Sequence, residues 1–278
     1  MMKNNKNSIL LVDPEFDPNT APDCNLLLKI TCDSFSYAII DKCSRQLKAV
    51  FDQQECEDIC FSIALALKQD SYLALPFKEI KTSVYTVNTI AIPNELYAEQ
   101  DLNSYAKFFT EEQSDTLYTQ PFAQFGFTSI FNLQQFIEDT LDTHLADAKR
   151  YEQNAPVLAM AATVNSSSLI LDFTAGSFNA LLQKEGKLIF QNTFEIENAE
   201  EFNYYLLLLI QELDIDTAAV AVLMSGIIDE NGDYHTCISR YFEHNSFNLP
   251  PANDIDHAIL ENMPAHYYSS LLALDLCV

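Results

Sequence analysis

The stretch Leu169-Ile170-Leu171-Asp172-Phe173-Thr174-Ala175-Gly176-Ser177-Phe178-Asn179 decides how the chain folds. Three aliphatic residues end in a carboxylate, small and hydroxyl residues follow, and a second apolar run then begins. That order reads as a strand, a tight turn and a returning strand. In the plainest reading, Asp172 and Ser177 shape the turn by hydrogen bonding nearby backbone.

Downstream, Phe178 to Gln183 and Leu188 to Phe194 form a hairpin around Lys184-Glu185-Gly186-Lys187. A helix spans Glu200 to Leu213, with Asn198 as N-cap and Glu200-Glu201 in the first turn, where the dipole favours anions. Its centre, YYLLLLI, is apolar on every face, which predicts burial between layers. Ala218 to Ile228 reads as a strand, DENGD as a turn, and Tyr234 to Phe242 as a helix. Upstream, Val157 to Val164 is strand-like.

The first half follows the same order. Leu26 to Thr31, Ser36 to Asp41 and Gln46 to Phe51 read as strands, and Glu55 to Gln69 as a helix. Cys56, Ile59, Cys60, Ile63 and Leu67 make the core stripe of that helix. Lys81 to Pro93 alternates as one strand, and Thr116 to Phe122 and Phe125 to Phe131 as two more. A helix is expected over Leu133 to Arg150, with Asn132 as N-cap. The two plans lie about 140 residues apart and share element order without obvious identity. They predict an α/β protein with a polar arm over 1–25 and lobes over 26–150 and 151–278.

The quoted stretch resembles the second phosphate loop of the actin-like ATPase superfamily. There a strand ends in Asp, a Gly-rich turn binds phosphate through its N–H groups, and a hydroxyl residue follows. The resemblance makes Asp172 the metal-organising carboxylate and puts Ser177 at the hydroxyl position. It puts Thr174, Ala175 and Gly176 where glycines are usual, and two of those glycines are missing. Thr31-Cys32-Asp33-Ser34-Phe35 is the corresponding stretch of the first half. It offers Asp33 and Ser34, with Phe35 at a glycine position. Ser225-Gly226-Ile227 is the nearest equivalent of the adenosine-side Gly-Gly turn, with one glycine left.

The whole chain from about residue 25 looks like a bacterial domain-of-unknown-function family, on NTFEIENAEEFNYYLLLLIQELDID and VLMSGIIDENGDYHTCISRYFEHNSF. That resemblance implies two ribonuclease-H-like lobes with mixed sheets flanked by helices, the actin-like ATPase fold. It implies no activity.

Composition narrows the function. Five glycines stand in 278 residues, none closer than six positions to another, which excludes the P-loop, G-x-G-x-x-G and G-x-S-x-G. A net charge of −25, with three basic residues after position 150, argues against nucleic acid and anionic membranes. The N-terminal apolar run is too short for a signal peptide, and seven cysteines without a C-x-x-C pair suit a reducing cytoplasm. His235 and Cys237 lack a second pair for a tetrahedral metal site, and DENGD lacks the Glu of a calcium loop.

Two expectations follow. The first is a non-catalytic interaction or scaffold protein, a pseudo-ATPase with protein partners, no catalytic residues, no metal and no cofactor. The second is a divergent ATPase or kinase that binds Mg·ATP through Asp172, Ser177 and Gly226, with Asp33 opposite.

Overall fold

The computed structural model describes residues 7–110, 114–164, 166–249 and 255–278. The chain divides into two compact units: Met1–Ala155 with Asp254–Ile259, and Pro156–Asn253 with Leu260–Val278.

The first unit is built on β1 (Ser8–Val12), β2 (Cys24–Ile30), β3 (Phe35–Asp41), β4 (Gln46–Gln53), α1 (Ile59–Gln69) and β5 (Glu79–Val84). The chain then leaves this sheet for β6 (Thr89–Pro93), the short α2 (Leu102–Tyr105), β7 (Tyr118–Phe122) and β8 (Phe127–Phe131). It returns through α3 (Gln135–His144) and β9 (Lys149–Glu152). The main sheet has the order β1-β4-β3-β2-β5-β9, antiparallel over its first four strands and parallel over β2, β5 and β9. The inserted sheet has the order β6-β8-β7.

Alternation places Leu26, Leu28, Ile30, Phe35, Tyr37, Ile39 and Phe51 on one face, packed with Ile63 and Leu67 of α1 and Ile137 and Leu141 of α3. Cys56, Ile59 and Cys60 join this core as expected.

Several expectations for this unit are corrected. Residues 8–12 are not part of a loose arm: Ile9 to Val12 supplies an edge strand on β4, and Asp13 pairs with Lys48 at 2.9 Å. Lys81 to Pro93 is two strands in two sheets. The helix after β8 is shorter than the predicted 133–150 span, and Gln134 precedes it. Asn132 is buried instead, its Nδ2 donating to the Ser114 carbonyl at 2.7 Å. Residues 149–152 are strand, since they pair with β5. At the start of the second unit, α4 (Ala155–Ala161) replaces the strand expected from Val157, in keeping with the helix preference of Ala, Leu and Met.

The second unit comprises β10 (Ser168–Phe173), β11 (Ser177–Lys184), β12 (Lys187–Glu195), α5 (Ala199–Glu212), β13 (Ala221–Gly226), α6 (Asp233–Tyr241), β14 (Asn245–Phe247) and α7 (Ser269–Ala273). The sheet order is β12-β11-β10-β13-β14, with β10, β13 and β14 parallel. Leu169, Leu171, Phe173, Phe178, Val222 and Met224 face Phe202, Leu206 and Leu209 of α5 and Ile238 of α6. Asn198 caps α5 by accepting from the N–H groups of Glu200 and Glu201, each at 3.0 Å. α5 is not buried all round: Tyr204, Leu207 and Leu208 are exposed. The reason is that a helix lying on one face of a sheet has only one buried side.

Each unit is therefore three antiparallel strands, a helix, a parallel strand, a second helix and a further parallel strand. The first unit adds β1 and the inserted sheet.

Candidate functional site

The β2–β3 and β10–β11 hairpins end in turns with the same hydrogen bonds. In the second unit, Thr174 N donates to the Ser177 carbonyl at 2.9 Å and Ser177 N donates to Thr174 Oγ1 at 2.9 Å. The Thr174 and Ser177 hydroxyls are 2.7 Å apart. The Gly176 carbonyl accepts from Ile196 N, just beyond β12, at 2.9 Å.

In the first unit, Thr31 N donates to the Ser34 carbonyl at 2.8 Å and Ser34 N to Thr31 Oγ1 at 2.9 Å. The two hydroxyls are 2.7 Å apart, and the Asp33 carbonyl accepts from Cys56 N, beyond β4, at 2.7 Å. Thr-x-x-Ser-Phe is thus repeated at matching places, 31–35 and 174–178, an identity the reading of element order missed.

This equivalence reassigns the first-half candidate. Asp33 matches Gly176, and its carboxylate accepts from Thr31 Oγ1 at 2.8 Å. Two residues before the turn, the place of Asp172 is taken by Lys29. Both sit opposite a serine of the neighbouring parallel strand, Lys29 with Ser83 and Asp172 with Ser225.

On the sheet face opposite α1 and α3 in the first unit, and opposite α5 and α6 in the second, each unit carries a cross-strand polar row. In the first it is Asp52, Ser36, Lys29 and Ser83, and in the second Thr193, Asn179, Asp172 and Ser225. Asp172 is buried and accepts from Ser225 Oγ at 2.7 Å. Asp52 is pushed up to about 6, chiefly by burial, with the Gln54 hydrogen bond and the Lys29 charge opposing. The sequence pattern did not single out Lys29, Asp52 or Ser83, and it placed Ser225 only in the adenosine-side turn with Gly226. The usable signal was a polar residue on the alternate face of an otherwise aliphatic strand.

Gly226 has a structural reason to be glycine. Its φ is +80°, and a Cβ there would lie 2.0 Å from the Phe173 carbonyl oxygen. That oxygen accepts from Ile227 N at 2.9 Å, while Gly226 N donates to the His266 carbonyl at 3.0 Å. The matching residue of the first unit is Val84, followed by Tyr85 N donating to the Ile30 carbonyl at 2.9 Å.

A phosphate loop needs turn N–H groups turned to the ligand and room for close backbone approach. Here the Thr hydroxyl and the Ser carbonyl each take one N–H group of each turn, and Thr174 and Ala175 carry Cβ atoms. These turns do not fit a phosphate cradle of the glycine-rich kind. Among the described residues no three His, Cys, Asp or Glu side chains come together as a metal-holding group. His235 lies on α6 and takes a hydrogen bond from Asn231 N at 3.2 Å, and Cys237 is buried in the core.

Two α/β units with these sheets define the class, and the comparisons agree: the chain has the actin-like ATPase fold. It is similar to a Bacteroides thetaiotaomicron protein with that fold and unknown function, with a TM-score of 0.71 and 16% identity over 90% of this chain and 99% of that one. It is also similar to a chain of the PilM–PilN type IV pilus biogenesis complex, with a TM-score of 0.61 and 11% identity over 91% and 97%. A third similar structure is the ethanolamine utilization protein EutJ from Carboxydothermus hydrogenoformans, with a TM-score of 0.51 and 9% identity over 96% and 93%. The chain belongs to DUF3822, a family described as protein of unknown function, whose model matches residues 13–244. No curated protein matches it. No helix among the described residues is long and apolar enough to cross a membrane.

Proposed function

We propose that this protein is a non-catalytic interaction or scaffold protein, a pseudo-ATPase that works by binding other proteins. The observation that carries this reading is the pair of self-closed Thr-x-x-Ser turns. At the places where the fold family holds phosphate, the Thr31 and Thr174 hydroxyls accept from Ser34 N and Ser177 N, and the Ser34 and Ser177 carbonyls accept from Thr31 N and Thr174 N. Lys29 at the place of Asp172 removes one of two carboxylates that a metal–phosphate site would use. Gly226 is accounted for by the Phe173 carbonyl and needs no adenosine. The similarity to a chain from a pilus biogenesis complex is in keeping with a role in assemblies, on analogy of fold alone.

Cofactor, catalytic residue and metal have no part in this reading. The −25 charge points away from nucleic acid and anionic lipid, and towards protein partners with basic surfaces. The cytoplasm suits seven cysteines without a disulfide.

Binding of Mg·ATP is the second reading. One observation favours it: Asp172 keeps its place at the end of β10, beside Ser225. Thermal unfolding with and without about 1 mM Mg·ATP separates the two. Linkage supplies about 2.7 kcal/mol at a hundredfold excess over Kd, which is several degrees for a chain of this size. The scaffold reading expects no shift. A magnesium-dependent rise that Asp172→Ala abolishes would overturn it.

A further inference from the structure

The outer face of α5 is apolar where a solvent-facing helix is ordinarily polar. Tyr204, Leu207 and Leu208, spaced i, i+3 and i+4, are 62%, 42% and 36% exposed, while Phe202, Leu206 and Leu209 fill the core on the other side. The stripe is closed at both ends by acids. Exposed Glu200 lies one turn before Tyr204, and exposed Glu212 one turn after Leu208, with exposed Asp214 and Asp216 beyond it. Lys184 lies at that end with its Nζ donating to the carbonyls of Leu213 and Asp214, each at 3.3 Å.

In the first unit the matching helix, α1, also exposes apolar residues, Phe61 and Leu65. Acids precede that pair at Glu55, Glu57 and Asp58, but exposed Lys68 stands at its C-terminal end. Of these two matching helices, α5 is the one with acids beyond both ends of its stripe.

We propose that the α5 stripe docks an amphipathic helix of a partner protein whose apolar face is bordered by lysine or arginine. Anchors at i, i+3 and i+4 suit a helix lying along another helix, and the acidic ends select basic flanks and speed encounter. A second copy of this chain would bring the same acidic ends into contact with themselves. An anionic membrane would be repelled, since helices that lie on such surfaces carry basic borders. The proposal rests on the partner-binding reading above and adds the surface and the partner's chemistry.

The test uses the full chain and a labelled synthetic helix of about five turns, with Leu at i, i+3, i+4 and i+7 and Lys on both flanks. A second peptide keeps the leucines and carries Glu flanks. Binding is measured against the wild type and against Y204S/L208S, with circular dichroism confirming that the variant is folded. The expected result is binding of the Lys peptide, weakened at least tenfold by Y204S/L208S and by raised salt, and no binding of the Glu peptide. Failure of the Lys peptide to bind, equal binding to both proteins, or equal binding of both peptides overturns the proposal. So does a wild-type dimer in sedimentation that Y204S/L208S abolishes, which would assign the stripe to a second copy. Magnesium-dependent stabilisation by ATP would remove the scaffold reading and leave this result standing. Failure of the Lys peptide without an ATP shift would remove the docking site alone.

Discussion

The turns at 31–34 and 174–177 share one hydrogen-bond pattern and differ in what stands around it. In the second unit the turn is buried at Thr174 and Ser177, follows the carboxylate Asp172, and adjoins a glycine that the parallel strand cannot do without. In the first unit Thr31 is half-buried, Lys29 takes the carboxylate's place, and Val84 takes the glycine's. The common part is what a four-residue connection between two strands needs to satisfy its own backbone. The differing part is where a ligand would have imposed a constraint, and the two units have diverged there in charge and in volume.

Gly226→Ala gives the sharpest break between the units. A methyl group 2.0 Å from the Phe173 oxygen, at φ +80°, should cost about 4 kcal/mol or more, read from the urea midpoint at unchanged m-value. Val84→Ala, at the matching register, should cost about 1–3 kcal/mol by loss of buried methyl groups. Equal losses would deny the glycine its structural role.

Two buried carboxyls of the first unit give the next test. Glu152 is pushed up to about 7 and Asp52 to about 6, both chiefly by burial, and both belong to the first unit. Unfolded carboxyls titrate near 4, so between about pH 4 and 7 the folded protein holds more protons than the unfolded chain. Stability contributed by these groups therefore falls as pH rises through that window, and is unaffected below it. Glu152→Gln keeps an acceptor for the Asn154 N–H groups. It should remove about 2–3 kcal/mol of this decline, measured as the difference in unfolding free energy between pH 4.5 and 7.5. An unchanged slope would mean that Glu152 is ionised in the folded state.

Within the turns, Thr174→Val leaves Ser177 N without its acceptor in a buried setting and should cost about 1–3 kcal/mol. Thr31→Val should cost about half as much, because water reaches the half-buried Thr31 although Ser34 is buried. The reverse ranking would sink the idea that burial separates them. The smallest effect concerns the next hairpin. Unit two turns through Glu185 and Gly186, both at positive φ, and unit one through Arg45 at φ +57°. Gly186→Ala should lose about 1 kcal/mol, and Arg45→Gly should gain about 0.5 kcal/mol, by thermal unfolding.

Much of the fold was legible. Asn198 before Glu200-Glu201 marked the start of α5, short apolar runs joined by polar connections marked β2 to β4 and β10 to β12, and Gly186 marked the hairpin turn. The candidate site was half legible. Asp172, Thr174 and Ser177 stand at the turn where their pattern put them. Asp33 looked like their counterpart because it is the nearest acid, whereas strand register makes Lys29 the residue that corresponds to Asp172. Asn132 was read as a helix cap because its residue type suits one, but its amide binds Ser114 across the fold. The α4 segment was misread because a short apolar run fits a buried strand as well as a buried helix.

Local chemistry alone determined where the chain turns, which residues cap α5, and the repeated order of strands and helices. Those features depend on backbone preference and on hydrogen bonds within a few residues, and these are written in the sequence. Tertiary structure decided which side of YYLLLLI meets solvent, that residues 8–12 add an edge strand, that 79–93 divides between two sheets, and that Gly226 yields its space to a carbonyl from β10. Those outcomes depend on neighbours far away in the chain, and burial and close approach exist only once the neighbours have met.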